Sequence, residues 1–162
     1  MTTAAYLPDV NVIIALFDPA HPFHEAAHRW FGKHRRQGWA TCPATVNGVV
    51  RILSNPSYPG LSLRPSDVIA NFMELCAAED HQFWQDSINL LDPARFHHQL
   101  MVSSKHITDL ALLALAVRHH AALVTFDSRI DPSPVPGATT DNIILLKGSL
   151  PQRSDAEAGP KK

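Results

Sequence analysis

The chain has 162 residues, a formal net charge of −1, and 45% hydrophobic against 18% charged residues. These figures exclude a disordered or fibrous chain and suit one globular domain with a sizeable core, while leaving a polyanionic partner open. The longest apolar runs, VIIALF and LALLALAV, fall far short of the roughly 20 residues that span a bilayer, and no basic-then-apolar leader pattern precedes Asp9. A cytoplasmic protein with no membrane partner is expected.

Taken in chain order, strand-like and helix-like segments alternate. AAYLP (4–8) predicts a short strand, and Val10, Ile13, Ile14 and Phe17 then follow helical spacing, so a helix starts just after Asp9. DPAHP is a turn, HEAAHRWFGKHRR a second helix that stops near Gly38, GWATCP a strand ended by Pro43, and ATVNGVVRILSN a third helix closed by Asn55-Pro56. After a loop, SDVIANFMELCAAED predicts a helix capped by Ser66. DSINLLD reads as a strand, and DPARFHHQLMV as a helix with Asp92 as cap and Pro93 in its first position. HITDLALLALAVRHH is the most apolar helix, AALVTFD the strand after it, and NIILL a final strand. Residues 1–150 thus predict a single domain, and the polar residues 151–162 a flexible tail.

Alternation of this kind predicts an α/β fold with a mainly parallel central sheet and helices on both faces. Ligands in such sheets bind outside the carboxyl ends of the strands. Asp9 ends the first strand, Asp127 follows ALVTF, and Asp109 lies in the first turn of the helix leading into that strand. Each alone is also what a helix cap or a turn requires. Together they form an oxygen-donor set suited to Mg²⁺, which binds through a few carboxylates and substrate phosphate oxygens.

A competing motif is HEAAH (24–28), the H-E-x-x-H pattern of zinc proteases, with His34 as a third candidate ligand. The extended zinc motif needs a helix-breaking glycine where Phe31 stands; Gly32 comes one residue late. With ten His in the chain a chance match is expected, and Phe23, Ala26, Ala27, Trp30 and Phe31 make this segment an amphipathic helix packed on the domain. The protease reading is therefore disfavoured. Cys42 and Cys76 lie too far apart in sequence for a C-x-x-C pair, so no disulfide framework is implied. Lys33, Arg35 and Arg36 form a short basic cluster, ordinarily a solvated face, that would suit approaching phosphate.

LPDVNVIIALFDPAHPFHEAAHRWF, GWATCPATVNGVVRILSNPSYP and HITDLALLALAVRHHAALVTFD, in this order, resemble PIN-domain proteins of the VapC type. The resemblance runs from about Leu7 to Asp127. It implies a PIN-like three-layer α/β/α sandwich and the toxin component of a type II toxin–antitoxin system, a Mg²⁺- or Mn²⁺-dependent endoribonuclease hydrolysing RNA phosphodiester bonds. Asp9, Asp109 and Asp127 match the family's catalytic, metal-binding acids. Asn11 matches a commonly polar position and is expected to orient Asp9, as is Thr125, which alternates to the same side of its strand as Asp127. Many PIN domains carry a Glu on the helix of the second motif; here TVNGVVR offers Asn47, with Arg51 one turn later. One well-held metal and a second arriving with RNA is the expectation. A cognate antitoxin, seated in an apolar groove near the HEAAH helix, and a homodimer supported by NFMELCAAEDHQFW are the implied protein partners. The alternative is a catalytically weak PIN-fold module that binds RNA or protein.

Overall fold

The computed structural model describes residues 4–85 and 87–148. The proposed tail at 151–162 lies outside the described residues. Among the described residues five strands, β1 (Tyr6–Pro8), β2 (Trp39–Thr41), β3 (His81–Phe83), β4 (Ala122–Thr125) and β5 (Ile143–Leu145), form one parallel sheet in the order β3-β2-β1-β4-β5. Among the described residues five α-helices accompany them: α1 (Val10–Phe17), α2 (His24–His34), α3 (Pro43–Leu53), α4 (Pro65–Cys76) and α5 (Ile107–Arg118).

Side chains of successive strand residues leave on opposite faces, and this decides the layers. Leu7, Ala40 and Leu123 pack with the Leu110–Ala116 run of α5 on one side. Tyr6, Trp39 and Val124 pack with Val12, Ala15, Leu16, Ala27, Trp30 and Phe31 of α1 and α2 on the other. The opposite flank of α1, Ile13 and Ile14, meets Val49, Leu53, Val68 and Phe72 from α3 and α4. Helix α1 is therefore enclosed from two directions, which explains its unbroken apolar run from Val12 to Leu16.

Gly38 ends the turn after α2 with φ of 91°, a region open chiefly to glycine. A Cβ there would lie 2.8 Å from the Ala4 backbone, while its carbonyl accepts N–H bonds from Ala5 and Tyr6 at 2.9 and 3.3 Å.

Three local expectations are corrected. The third strand is His81–Phe83, paired in register with Trp39–Thr41, and 87–92 is not a strand. Ile88 and Leu90 pack as loop residues against the α5 side of the core. Residues 92–102 do not form an α-helix. Asp92 caps only a turn, accepting from Ala94 N at 2.9 Å, after which His97 N–H bonds Pro134 O at 2.8 Å and draws the chain aside. Ser66 is not the cap of α4: Pro65 takes the first helical position, Arg64 the cap position, and the Asp67 carboxylate reaches back to Arg64 N at 2.9 Å. Among the described residues no helix is long and apolar enough to cross a membrane.

Candidate active site

From β1 the chain winds to β2 and β3 on one side, then crosses over to β4 and β5 on the other. The reversal opens a crevice at the carboxyl ends of β1 and β4, the position at which α/β sheets bind ligands. Asp9 follows β1 directly, and its N–H bonds Val124 O at 2.9 Å, so its backbone is held against β4. Its carboxylate caps α1, accepting from Val12 N at 2.9 Å. A second bond comes from the Thr125 hydroxyl. That same Thr125 oxygen accepts the Asp127 N–H at 3.1 Å. One fully buried hydroxyl thus joins the acid after β1 to the acid after β4.

Asp109 enters from the first turn of α5. Just before that helix, a 3₁₀ turn over Ser104–His106 delivers His106, whose Nδ1 lies 3.4 Å from Asp109 Oδ2 and 3.8 Å from Asp127 Oδ2. Asp127 is folded into a tight turn by its bond from Arg129 N at 2.9 Å. Its two oxygens also face Arg129 Nε and Nη2 at 3.2 and 3.3 Å.

The electrostatics differ among the three acids. Burial pushes the Asp9 carboxyl up to about 6, with a smaller rise from the nearby Asp109 charge, against the lowering by its hydrogen bonds to Thr125 and Val12. Asp109 is likewise raised by burial, partly offset by His106. Asp127 is held below the usual carboxylate range, chiefly by Arg129. Two acids with raised pKa beside a third that stays ionised are mutually repelling oxygen donors, which a divalent cation would relieve. His106, Asp109 and Asp127 each offer a ligand atom within 4.8 Å of the others. Asp9 is not a member of that group and is linked to it through the charge of Asp109. The donor set fits a hard divalent ion.

Asn11 supports Asp9 through its backbone N–H. Its side chain, expected to orient Asp9, is instead exposed and lines a groove of about 420 Å³ with Asn47, Arg51 and Thr108. Among the described residues no hydrogen bond ties Asn47 or Arg51 to the three acids. A second hollow of about 250 Å³, bounded by Met101, His106 and Arg129, lies on the Asp127 side. Neither His106 nor Arg129 is among the site residues expected from the sequence, where His106 reads only as preceding the last long helix with an RNA contact open to it. The His at i−3 from Asp109 and the Arg at i+2 from Asp127 were the available signals.

The HEAAH motif has another use. His24 Nδ1 meets Ala15 O at 2.7 Å and His28 Nε2 meets Leu16 O at 2.8 Å, so both rings close carbonyls left open at the end of α1. Among the described residues the apolar stripe of this helix is spent in the core rather than left open. An apolar hollow of about 250 Å³ sits instead between α3, α4 and β3, where Ile69, Met73 and Phe83 are exposed. Arg35 of the basic cluster is paired with Asp80.

Comparison with known proteins agrees with this geometry. The PIN domain family model matches residues 6–132. Ribonuclease VapC44 of Mycobacterium tuberculosis is 40% identical over 144 residues, covering 86% of this chain and 98% of that protein. Ribonuclease VapC39 of the same organism is 40% identical over 131 residues, 81% of this chain and 94% of that protein. Ribonuclease VapC38 is 36% identical over 124 residues, 76% and 86% respectively. A parallel sheet with acids at its switch point, a family match over most of the chain and relatives of nearly equal extent lead to one conclusion: the chain belongs to the PIN-domain family and is of the VapC type.

Proposed function

We propose that this protein is the toxin of a type II toxin–antitoxin pair, a metal-dependent endoribonuclease acting on RNA in the cytoplasm. The observation that supports the reading is the cluster of His106, Asp109 and Asp127, whose ligand atoms lie within 4.8 Å of one another, with the buried Asp9 close enough to feel the Asp109 charge. In this reading the three acids are the catalytic residues and hold Mg²⁺, with Mn²⁺ as the other candidate. A bound divalent ion supplies Lewis acidity for phosphodiester hydrolysis.

The chain's own residues do the rest. Thr125 keeps Asp9 turned toward the crevice and tethers the Asp127 turn to it. Asp9, its carboxyl pushed up to about 6 by burial, is an acid that a nearby positive charge would bring back toward the ordinary carboxylate range. Asn11, Asn47, Arg51 and Thr108 line the groove along which an RNA strand would reach the acids, with Arg51 its cationic member. The neutral Asn47 lowers the negative charge on the α3 side and favours a single well-held ion. The non-catalytic alternative is weaker, since relatives 40% identical to this chain bear the name ribonuclease. A cognate antitoxin and a second copy of the chain are the protein partners we assign, the dimer through the exposed Ile69, Met73 and Phe83.

The test is incubation of the purified chain with total RNA in Mg²⁺ or Mn²⁺, beside an EDTA control and Asp9→Asn, followed by mapping of new RNA ends. Metal-dependent cuts leaving 5′-phosphate and 3′-hydroxyl, lost in the variant, are expected. Equal cutting by Asp9→Asn would remove the assignment.

A further inference from the structure

We infer that His106 is itself a metal ligand, making this a mixed oxygen and nitrogen centre that prefers Mn²⁺ to Mg²⁺. The inference rests on the metal-site reading above and adds to it a residue outside the three acids.

Geometry is the first support. His106 Nδ1 stands 3.4 Å from one Asp109 oxygen and 3.8 Å from one Asp127 oxygen. The first distance is long for a hydrogen bond and the second is beyond one. An octahedral ion with ligands at roughly 2.1 Å puts adjacent donors about 3 Å apart and opposite donors about 4.2 Å apart. The His106 separations fall between those limits, so a small closure around a shared ion suffices. Local structure is the second support. The 3₁₀ turn Ser104–His106 is held by Ser103, whose hydroxyl accepts from Lys105 N at 3.3 Å, and it runs directly into α5. His106 and Asp109 are thereby three residues apart on one continuous helical path, a spacing that puts both side chains on the same face. The ring is largely enclosed, with 17% of its side chain exposed, so it is not a freely rotating surface group.

The chemistry then sets the selectivity. Mg²⁺ favours all-oxygen coordination and parts with water reluctantly, whereas imidazole is a good ligand for the later divalent ions, and Mn²⁺ lies between these tendencies. Replacing one oxygen by an imidazole nitrogen shifts preference toward Mn²⁺. Where Nδ1 donates to either carboxyl group it carries a proton, the tautomer deciding which ring nitrogen does so. Coordination through Nδ1 requires that proton to leave: to solvent from an imidazolium, or with a proton gained at Nε2 from a neutral ring.

Pulsed EPR on the full chain at one Mn²⁺ per protein reads this directly, without any RNA. The expected result is ¹⁴N modulation from a coordinated imidazole, replaced by the ¹⁵N pattern after ¹⁵N-histidine labelling and lost in His106→Gln. Titration should show Mn²⁺ affinity falling by about tenfold or more in His106→Gln, with a smaller change for Mg²⁺. His106→Asn serves as a second variant, and circular dichroism checks that each is folded. Mn²⁺ bound in an Asp109-dependent manner but without nitrogen coupling would overturn the inference and leave the acidic metal site standing. Failure of Mn²⁺ to bind at all would overturn both.

Discussion

Substituting Asn for Asp9 should stabilise the metal-free protein while destroying its proposed activity. Asp9 is 5% exposed, and its carboxyl rises from 3.8 to about 6, with burial as the largest cause. At about 1.4 kcal/mol per pH unit, ionising it in the fold costs roughly 3 kcal/mol more than ionising it in the unfolded chain. The sign follows from proton binding. Between pH 4 and 6 the native state holds the proton more tightly than the unfolded state, so stability falls as pH rises and the loss is complete above the folded value. Asn removes the charge and keeps an oxygen able to cap Val12 N, since Asn and Asp cap helices about equally well. Its amide must find an acceptor that the carboxylate did not need, so the net gain at pH 7.5 is about 1–3 kcal/mol. For a chain of this size the upper figure corresponds to a melting temperature higher by roughly 6–12 °C. Urea unfolding in EDTA from pH 4 to 8, wild type beside Asp9→Asn, measures this: the curves should converge near pH 4 and separate by pH 7. A variant less stable than wild type at pH 7.5, or a difference independent of pH, would refute the reasoning. Saturating Mn²⁺ should narrow or reverse the gap, because an ion at 100 times its Kd adds about 2.7 kcal/mol to the form that binds it.

Four further outcomes are expected. Replacing both His24 and His28 by Ala should cost about 1–3 kcal/mol, since two carbonyls at the end of α1 lose their partners; zinc chelation should leave wild-type stability unchanged, and a drop would revive the zinc reading. Gly48→Val should destabilise by about 1–3 kcal/mol in urea, because even a Cβ would lie 2.8 Å from Val10 Cγ2. Arg129→Ala should tighten Mn²⁺ binding a few-fold by calorimetry, as the guanidinium faces the same Asp127 oxygens that an ion would use; weaker binding would mean that Arg129 chiefly orients Asp127. Met73→Asp, at a side chain 69% exposed on the apolar α4 face, should shift sedimentation toward monomer, and an unchanged dimer would place the interface elsewhere.

The acids were visible in the sequence because their surroundings are local. Asp9 and Asp127 each follow an apolar strand, and Asp109 opens an apolar helix, so short-range patterns put all three at one edge of a parallel sheet. Thr125 followed from the two-residue period of β4. The third strand was missed because HQF is short, polar and at the sheet edge; its identity comes from pairing with Trp39–Thr41. The helix expected at Asp92 failed for a nonlocal reason, since its signals are real but His97 bonds Pro134, which no window of neighbouring residues contains. The contacts of His106 and Arg129 with Asp127 went unread because spacing does not say where a side chain is aimed. A 3₁₀ turn and an Asp-led turn aim them.

The reversal of strand order at β1 and β4 has a consequence for synthesis of the protein. Asp9 and Asp127 are 118 positions apart in the chain, yet they share one threonine hydroxyl. During translation the first acid leaves the ribosome early and waits while most of the described chain is made. Until Ala122–Thr125 has emerged and docked beside Tyr6–Pro8, the sheet lacks its central neighbour and the crevice has only one wall. A chain that stops just before β4 therefore has Asp9 and Asp109 but neither Thr125 nor Asp127. The order of the strands thus leaves the crevice incomplete until the segment that carries β4 has been made.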